Sequence, residues 1–251
     1  MIKRLYLHCL KYPALRKPLR LARAKLQTIT GYTDPFYDLA LIASASHTKL
    51  FFDIGCHHGD TLLRFIESGV ECPVAAFDPF GENIEKAKRL LQPYPRIDFY
   101  QLALSNRNGH ARFYLNKNEQ TSSLLENDAG NLDSFGEDTT LVGSCEVETR
   151  ALDSWAAEHE VTGPCIIKCD TQGAEGRVIE GGKSFIPEHC VAFYGEVMLG
   201  DMYKGQSSFA EIRSLLEKDC GLVLKNIYPC LHDGAGRAVQ MDALWVKPEW
   251  L

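Results

Sequence analysis

The sequence predicts an α/β protein, a mostly parallel sheet covered by helices on both faces, with its last strand running antiparallel. Three observations predict it. From Leu50 onward short apolar runs alternate with amphipathic stretches, the pattern of strands joined by helical crossovers. A glycine-bearing turn, Gly55 to Gly59, stands directly between the first apolar run and the first amphipathic one. The 251 residues are 45% hydrophobic and 24% charged, which supplies a core and excludes a disordered chain or a fibre.

The elements follow in order. LFFDI (50–54) reads as a strand by its length and aromatic content. GCHHGDTLLRFIESG is a turn entering a helix whose Leu62, Leu63, Phe65 and Ile66 share one side. VAAFD (74–78) is the second strand. ENIEKAKRLLQ (82–92) is the next helix, with Glu82 and Glu85 early and Lys88 and Arg89 late, as the helix dipole favours. IDFYQLAL (97–104) reads as one third strand, and HARFYL (110–115) as a hairpin arm after the turn residues 106–109. Residues 116–146 are polar and irregular and read as a long surface loop. Beyond LDSWAAEH (152–159), CIIKCD (165–170) is a buried strand and residues 173–185 a helix. CVAFYGEVM (190–198) is a strand, 208–219 a helix stopped by Gly221, and LVLKNIY (222–228) a strand. An edge strand near 239–246 closes the chain. The connection before it is too short for a helical crossover, so that strand turns back antiparallel.

Charge divides the chain into a basic N-terminal helical arm, 1–35, and one domain, 36–251. No acidic residue precedes Asp34, while eight basic ones do, among them Lys3, Arg4, Arg20 and Lys25. The arm offers a contact for an anionic membrane face or a partner, or packs as a solvated helix on its own domain. The opening MIKRLYLHCL lacks the apolar core and cleavage site of a signal peptide, and no apolar run approaches the ~20 residues of a bilayer span. The nine cysteines form no CxxC pair, so reduced thiols in a cytoplasmic protein are expected. A net charge of -6 argues against a nucleic-acid partner.

The strongest local signal is Asp53-Ile54-Gly55-Cys56-His57-His58-Gly59, placed where open α/β sheets bind ligands. Gly55 and Gly59 would let the backbone approach a ligand. Asp78 ends the second strand, where a carboxylate can accept both hydrogen bonds of a ribose diol. An NAD fingerprint fails, because His57 and Asp60 stand where it needs glycine. A P-loop fails, because no lysine follows Gly59. S-adenosylmethionine, which needs an acid and glycines after the first strand and an acid after the second, fits best.

The motifs F-D-I-G-x-x-x-G (52–59), A-F-D-P (76–79), L-A-L-S-N (102–106) and I-K-C-D-T-Q-G-A-E (167–175) together resemble the FkbM-type methyltransferases, in matching order from about Leu50 to Val246. The resemblance implies a single Rossmann-like class I methyltransferase domain with a seven-stranded sheet, moving methyl from S-adenosylmethionine to a hydroxyl of a sugar, glycan or other secondary metabolite. It implies that Asp53, Gly55, Cys56 and Gly59 line the cofactor, that Asp78 holds the ribose and that Ser105 contacts the adenine. Asp170, Gly173 and Glu175 match the late motif. Gln172 stands where the family commonly has Glu, and His57-His58 replace an Ala-Asn-type pair.

A sugar hydroxyl benefits from a base, typically by 10²–10⁴-fold. Asp170 is the first candidate, with a helix cap as its plain alternative. Glu196 leaves a buried strand near its end, and Glu175 sits in the first turn of a helix, where dipole placement alone would account for it. The oxygen ligands are too few to predict a metal. A protein that keeps the fold and binds without catalysing is the alternative reading.

Overall fold

The computed structural model describes residues 34–128 and 139–251. The basic arm therefore lies almost wholly outside the described residues, as does part of the long polar stretch. The described chain opens with α1 (Pro35–Ala45), capped by Asp34, whose side chain accepts from the backbone N–H of Phe36 and Tyr37. Proline at the first helical position costs no hydrogen bond.

The main sheet comprises β1 (Leu50–Ile54), β2 (Val74–Phe77), β3 (Ile97–Tyr100), β7 (Cys165–Cys169), β8 (Cys190–Met198), β9 (Val223–Ile227), β10 (Leu231–His232) and β11 (Ala238–Val246). Its order is β3-β2-β1-β7-β8-β11, and β9 and β10 share the far edge of β11. Strands β3 to β8 in that order pair in parallel, while β11 is antiparallel to β8, β9 and β10. The last strand is antiparallel as expected, but it is interior, not an edge: Trp245 and Leu244 are fully buried, and the broken β9–β10 line forms the edge.

Strands β1, β2, β7 and β8 are buried at nearly every position because helices cover both faces. On one face α1 and α2 (Asp60–Ser68) pack Phe36, Leu39, Leu62 and Phe65 against Phe51 and Ile166. On the other, α4 (Leu152–Glu158), α5 (Glu175–Gly181) and α6 (Phe185–His189) pack Trp155, Val178 and Phe185 against Phe52 and Ile167. Helix α3 (Gly81–Leu91) follows β2, and α7 (Phe209–Ser214), closed by a capping box between Ser208 and Glu211, continues as a π turn to Asp219. No helix among the described residues is long and apolar enough to cross a membrane.

Two expectations are corrected by a second, three-stranded sheet of order β4-β6-β5. The run 97–104 is not one strand: the chain breaks after Tyr100, and β4 (Ala103–Ser105) joins the second sheet. The arm β5 (Gly109–Asn116) pairs antiparallel with β6 (Leu141–Ala151), whose first half falls inside the stretch read as loop. Strand β6 escaped detection because only Val147 and Thr149 are buried along it, so it lacks the apolar alternation that marks a half-buried strand. A small core of Phe113, Leu124, Val147 and Met202 holds this sheet near the carboxyl ends of the main strands.

Candidate active site

The site starts at the end of β1. Gly55 adopts φ +76°, and a Cβ there would lie 1.8 Å from the carbonyl oxygen of Asp170. The end of β7 by itself therefore requires a glycine here. Gly59, at φ +86°, is pressed by Leu91 of α3, which a Cβ would meet at 2.8 Å. The turn between them is fastened from β2. Asp78 Oδ2 accepts from the His57 backbone N–H at 3.0 Å, and Oδ1 accepts from Phe80 N–H at 2.9 Å and Asn83 Nδ2 at 3.1 Å. The residue read as a ribose ligand is therefore also the clamp that shapes the turn.

Behind the turn lies a buried ion pair. Asp53 is fully buried, with Oδ1 2.9 Å from Lys168 Nζ. Burial pushes the Asp53 carboxyl up against the pull of Lys168. Burial works against the Lys168 ammonium too, but Asp53 and Asp170 outweigh it and hold its pKa above the ordinary value. Lys168 Nζ also donates to the Gly55 carbonyl at 2.6 Å and stands 3.8 Å from Asp170 Oδ2.

Asp170, with 35% of its side chain exposed, faces the cleft. It does not cap α5, whose first turn has no side-chain cap. Its Oδ1 accepts from Gln172 Nε2 at 2.8 Å, and the same nitrogen donates to Glu196 Oε2 at 2.6 Å. Glu196 Oε1 accepts from Gln240 Nε2. Burial, then the nearby Asp170 charge, pushes Glu196 well above the usual carboxylate range. Glu175 is buried and turned to its own loop, its Oε1 accepting from Thr171 N–H at 2.7 Å and Thr171 Oγ1 at 2.9 Å; burial pushes it up to about 7.

These groups border a cleft of about 410 Å3 at the carboxyl ends of β1, β2 and β7. Of the residues read from the sequence, Gly55, Cys56, Asp78, Asp170 and Glu196 line it; Asp53, Gly59, Ser105 and Glu175 stand behind the wall. Ser105 presents its carbonyl to Gly181 of α5. Phe77, Leu102, Leu104 and Phe113 supply an apolar side. A second hollow, about 290 Å3, shares Thr61, Lys168, Asp170 and Glu196 with the cleft and adds Tyr194, Tyr228 and Asp242.

The histidines sit at the mouth. Their rings stack at 3.6 Å. His57 is pushed down to about 4 by burial and by His58, and its buried Nε2 has no partner among the described residues. His58 Nε2 and Glu119 Oε2 each lie 3.1 Å from the Lys86 ammonium. His57, His58 and Glu119 bring three ligand-type atoms within 4.8 Å of one another, but Lys86 opposes a divalent cation there. Lys168, Tyr203 and Gln240 are site residues that sequence reasoning missed, while Gln172 stood out in the sequence only as a departure from the family pattern. Lys168 carried a usable signal, a charged residue inside the apolar run CIIKC.

The methyltransferase FkbM domain family matches residues 53–224. The chain belongs to this family. Within the FkbM match fall the glycine turn, Asp78, the Lys168–Asp170 segment and Glu196; Gln240 lies outside it. The chain is 27% identical over 173 residues to the 2-O-methyltransferase NoeI of Sinorhizobium fredii (strain NBRC 101917 / NGR234), covering 66% of this chain and 70% of that one. Among solved structures it is similar to a methyltransferase FkbM from Methylobacillus flagellatus KT, at 14% identity and TM-score 0.49. That match covers 78% of this chain and 43% of the Methylobacillus chain, so the present chain spans less than half of its length. The N-methyltransferase NodS from Bradyrhizobium japonicum WM9 matches at 10% identity and TM-score 0.45, covering 86% of this chain and 98% of its own.

Proposed function

We propose that this FkbM-family methyltransferase uses S-adenosylmethionine and methylates a hydroxyl of a sugar, glycan or secondary metabolite. The observation that carries the reading is the position of Asp170, a half-exposed carboxylate in the wall shared by the cleft and the second hollow.

The residues fit the cofactor. The cleft is of small-molecule size and opens where open α/β sheets take nucleotides. Its apolar side suits a nucleobase. Asp78 has acceptor capacity left after its three bonds, and the orphaned His57 Nε2 calls for a ligand polar group. When bound, S-adenosylmethionine supplies an electrophilic methyl group. Asp170 is placed to accept the proton of an acceptor hydroxyl as that oxygen becomes a nucleophile. Lys168 holds Asp170 and the Gly55 turn in one arrangement, so alignment is fixed before ligands arrive. The second hollow offers carboxylate oxygens on Asp170 and Asp242, which suit a hydroxyl-rich acceptor. Oxygen as the methylated atom agrees with the printed name of the Sinorhizobium relative. The acceptor is a small molecule or glycan, not nucleic acid, given the net charge of -6.

The test is calorimetric titration with S-adenosylmethionine, then transfer of labelled methyl to a panel of hydroxylated acceptors. Absence of cofactor binding sinks the reading. Binding with no transfer to any acceptor leaves the non-catalytic alternative.

A further inference from the structure

Two carboxylates, from the end of β7 and from β8, reach the same wall, and the group between them is a neutral amide. One NH2 group has two hydrogens, and Gln172 spends one on Asp170 Oδ1 at 2.8 Å and one on Glu196 Oε2 at 2.6 Å. Its Oε1 accepts from the Tyr203 hydroxyl at 3.0 Å. The opposite amide orientation would set an oxygen against two carboxylates, so the partners fix the assignment. The backbone supports this aim at a cost. Gln172 takes φ +55°, a strained value for a residue with a Cβ, and its carbonyl accepts from Ser123 Oγ at 2.7 Å.

The geometry points to Gln172 as the positioning residue that ties Asp170 to Glu196 and leaves Asp170 Oδ2 for the acceptor proton. Its catalytic meaning rests on the reading of Asp170 as the base; its electrostatic content does not. A hydrogen bond from an amide favours the charged form of a carboxyl group, so on Glu196 Gln172 opposes the upward push of burial and of the Asp170 charge. The other charged groups facing the pair have settled partners. Lys168, from β7, is shared with Asp53 of β1. Glu175 of α5 is bonded to Thr171, and Asp242 of β11 accepts from Tyr194 of β8. His57 is neutral above about pH 4, and burial keeps Tyr203 protonated. None of these touches both carboxylates as Gln172 does. A glutamate at this position would put a third carboxylate within hydrogen-bond distance of two others, so the neutral glutamine suits a wall that already holds one buried and one half-exposed carboxyl group.

The experiment is a carboxyl 13C NMR titration of the ligand-free protein, with Asp170 and Glu196 assigned through Asp170→Asn and Glu196→Gln. In Gln172→Glu the proton count of the cluster rises, and the pair's midpoints move up by about one pH unit or more. Gln172→Met moves them up by less, since it removes donors without adding charge. Tyr203→Phe, which frees the amide to turn, moves them up slightly and carries the test if residue 172 variants do not fold. With an acceptor in hand, the acid limb of kcat/KM moves by the same amount while cofactor KM stays near its original value. Unshifted midpoints in folded Gln172→Glu and Gln172→Met overturn the inference. Shifted midpoints in a protein that transfers no methyl would support it and reject the proposed function.

Discussion

Lys168 and Asp53 form an ion pair 2.9 Å long in the middle of the sheet, with side chains 3% and 0% exposed. They are direct neighbours in the parallel register of β1 and β7. The lysine reaches on to the Gly55 carbonyl and toward Asp170, so one cation organises both strand ends of the site.

Lys168→Met should therefore lower unfolding free energy by about 3–5 kcal/mol, the usual penalty for stranding a buried charge. Adding Asp53→Asn should restore much of the loss, because the stranded charge is then gone. Denaturant unfolding of the two variants checks this. A single variant as stable as the original protein would show that the pair contributes nothing.

Gly55→Ala should be worse tolerated than its small size suggests. The left-handed φ costs roughly 1–2 kcal/mol for a residue with a Cβ. The methyl would also overlap the Asp170 carbonyl at 1.8 Å, so the β7 end must move. We expect a loss above about 3 kcal/mol and a displaced Asp170. Thermal unfolding reads the first, and a structure of the variant reads the second.

The parallel sheet was legible because β1, β2, β7 and β8 are buried on both faces and so appear as unbroken apolar runs. The second sheet was not, since β6 shows one polar face to water and little apolar on the other. In the site, Asp78 and Asp170 were readable from their places at strand ends. Gln240 could not be read: it reaches Glu196 only because β11 folds back beside β8, where Gln240 pairs with Met198. Ser105 and Glu175 misled for the complementary reason. A strand end or a helix start says which end of the sheet a residue occupies, and tertiary packing decides whether it faces the cleft.

Asp78→Ala should weaken S-adenosylmethionine binding by about 1.5–3 kcal/mol, the range for a hydrogen bond to a charged group. Because Asp78 also clamps His57, Phe80 and Asn83, the variant should melt earlier as well. Asp78→Asn should cost less on both counts, since its one oxygen still serves Phe80 and Asn83. Calorimetry and thermal melting together check it; an unchanged affinity in the alanine variant removes Asp78 from the cofactor site.

Asp170→Asn should lower turnover by roughly 10²–10⁴-fold with cofactor affinity little changed. The asparagine oxygen can still accept from Gln172 Nε2, so the wall keeps its shape while losing its base. A full kinetic comparison separates kcat from KM. Near-normal turnover would pass the role to Glu196, the other carboxylate on the same amide.

Glu175→Gln should change how stability depends on pH more than stability itself. Both Thr171 donors go to Glu175 Oε1, an acceptor that glutamine retains, so the loop bonds survive the substitution. Burial raises the folded-state pKa of Glu175 from 4.5 to about 7, so between those values the native protein holds a proton that the unfolded chain has released. Stability from this group is therefore greatest below about pH 4.5 and declines as pH rises to about 7, by of the order of 3 kcal/mol at most. The glutamine variant lacks that decline. Relative to the original protein it should gain stability from about pH 4.5 to about pH 7 and level off above that, in denaturant unfolding at fixed ionic strength. A difference between the two proteins that stays constant across this range would show that Glu175 does not take up a proton on folding.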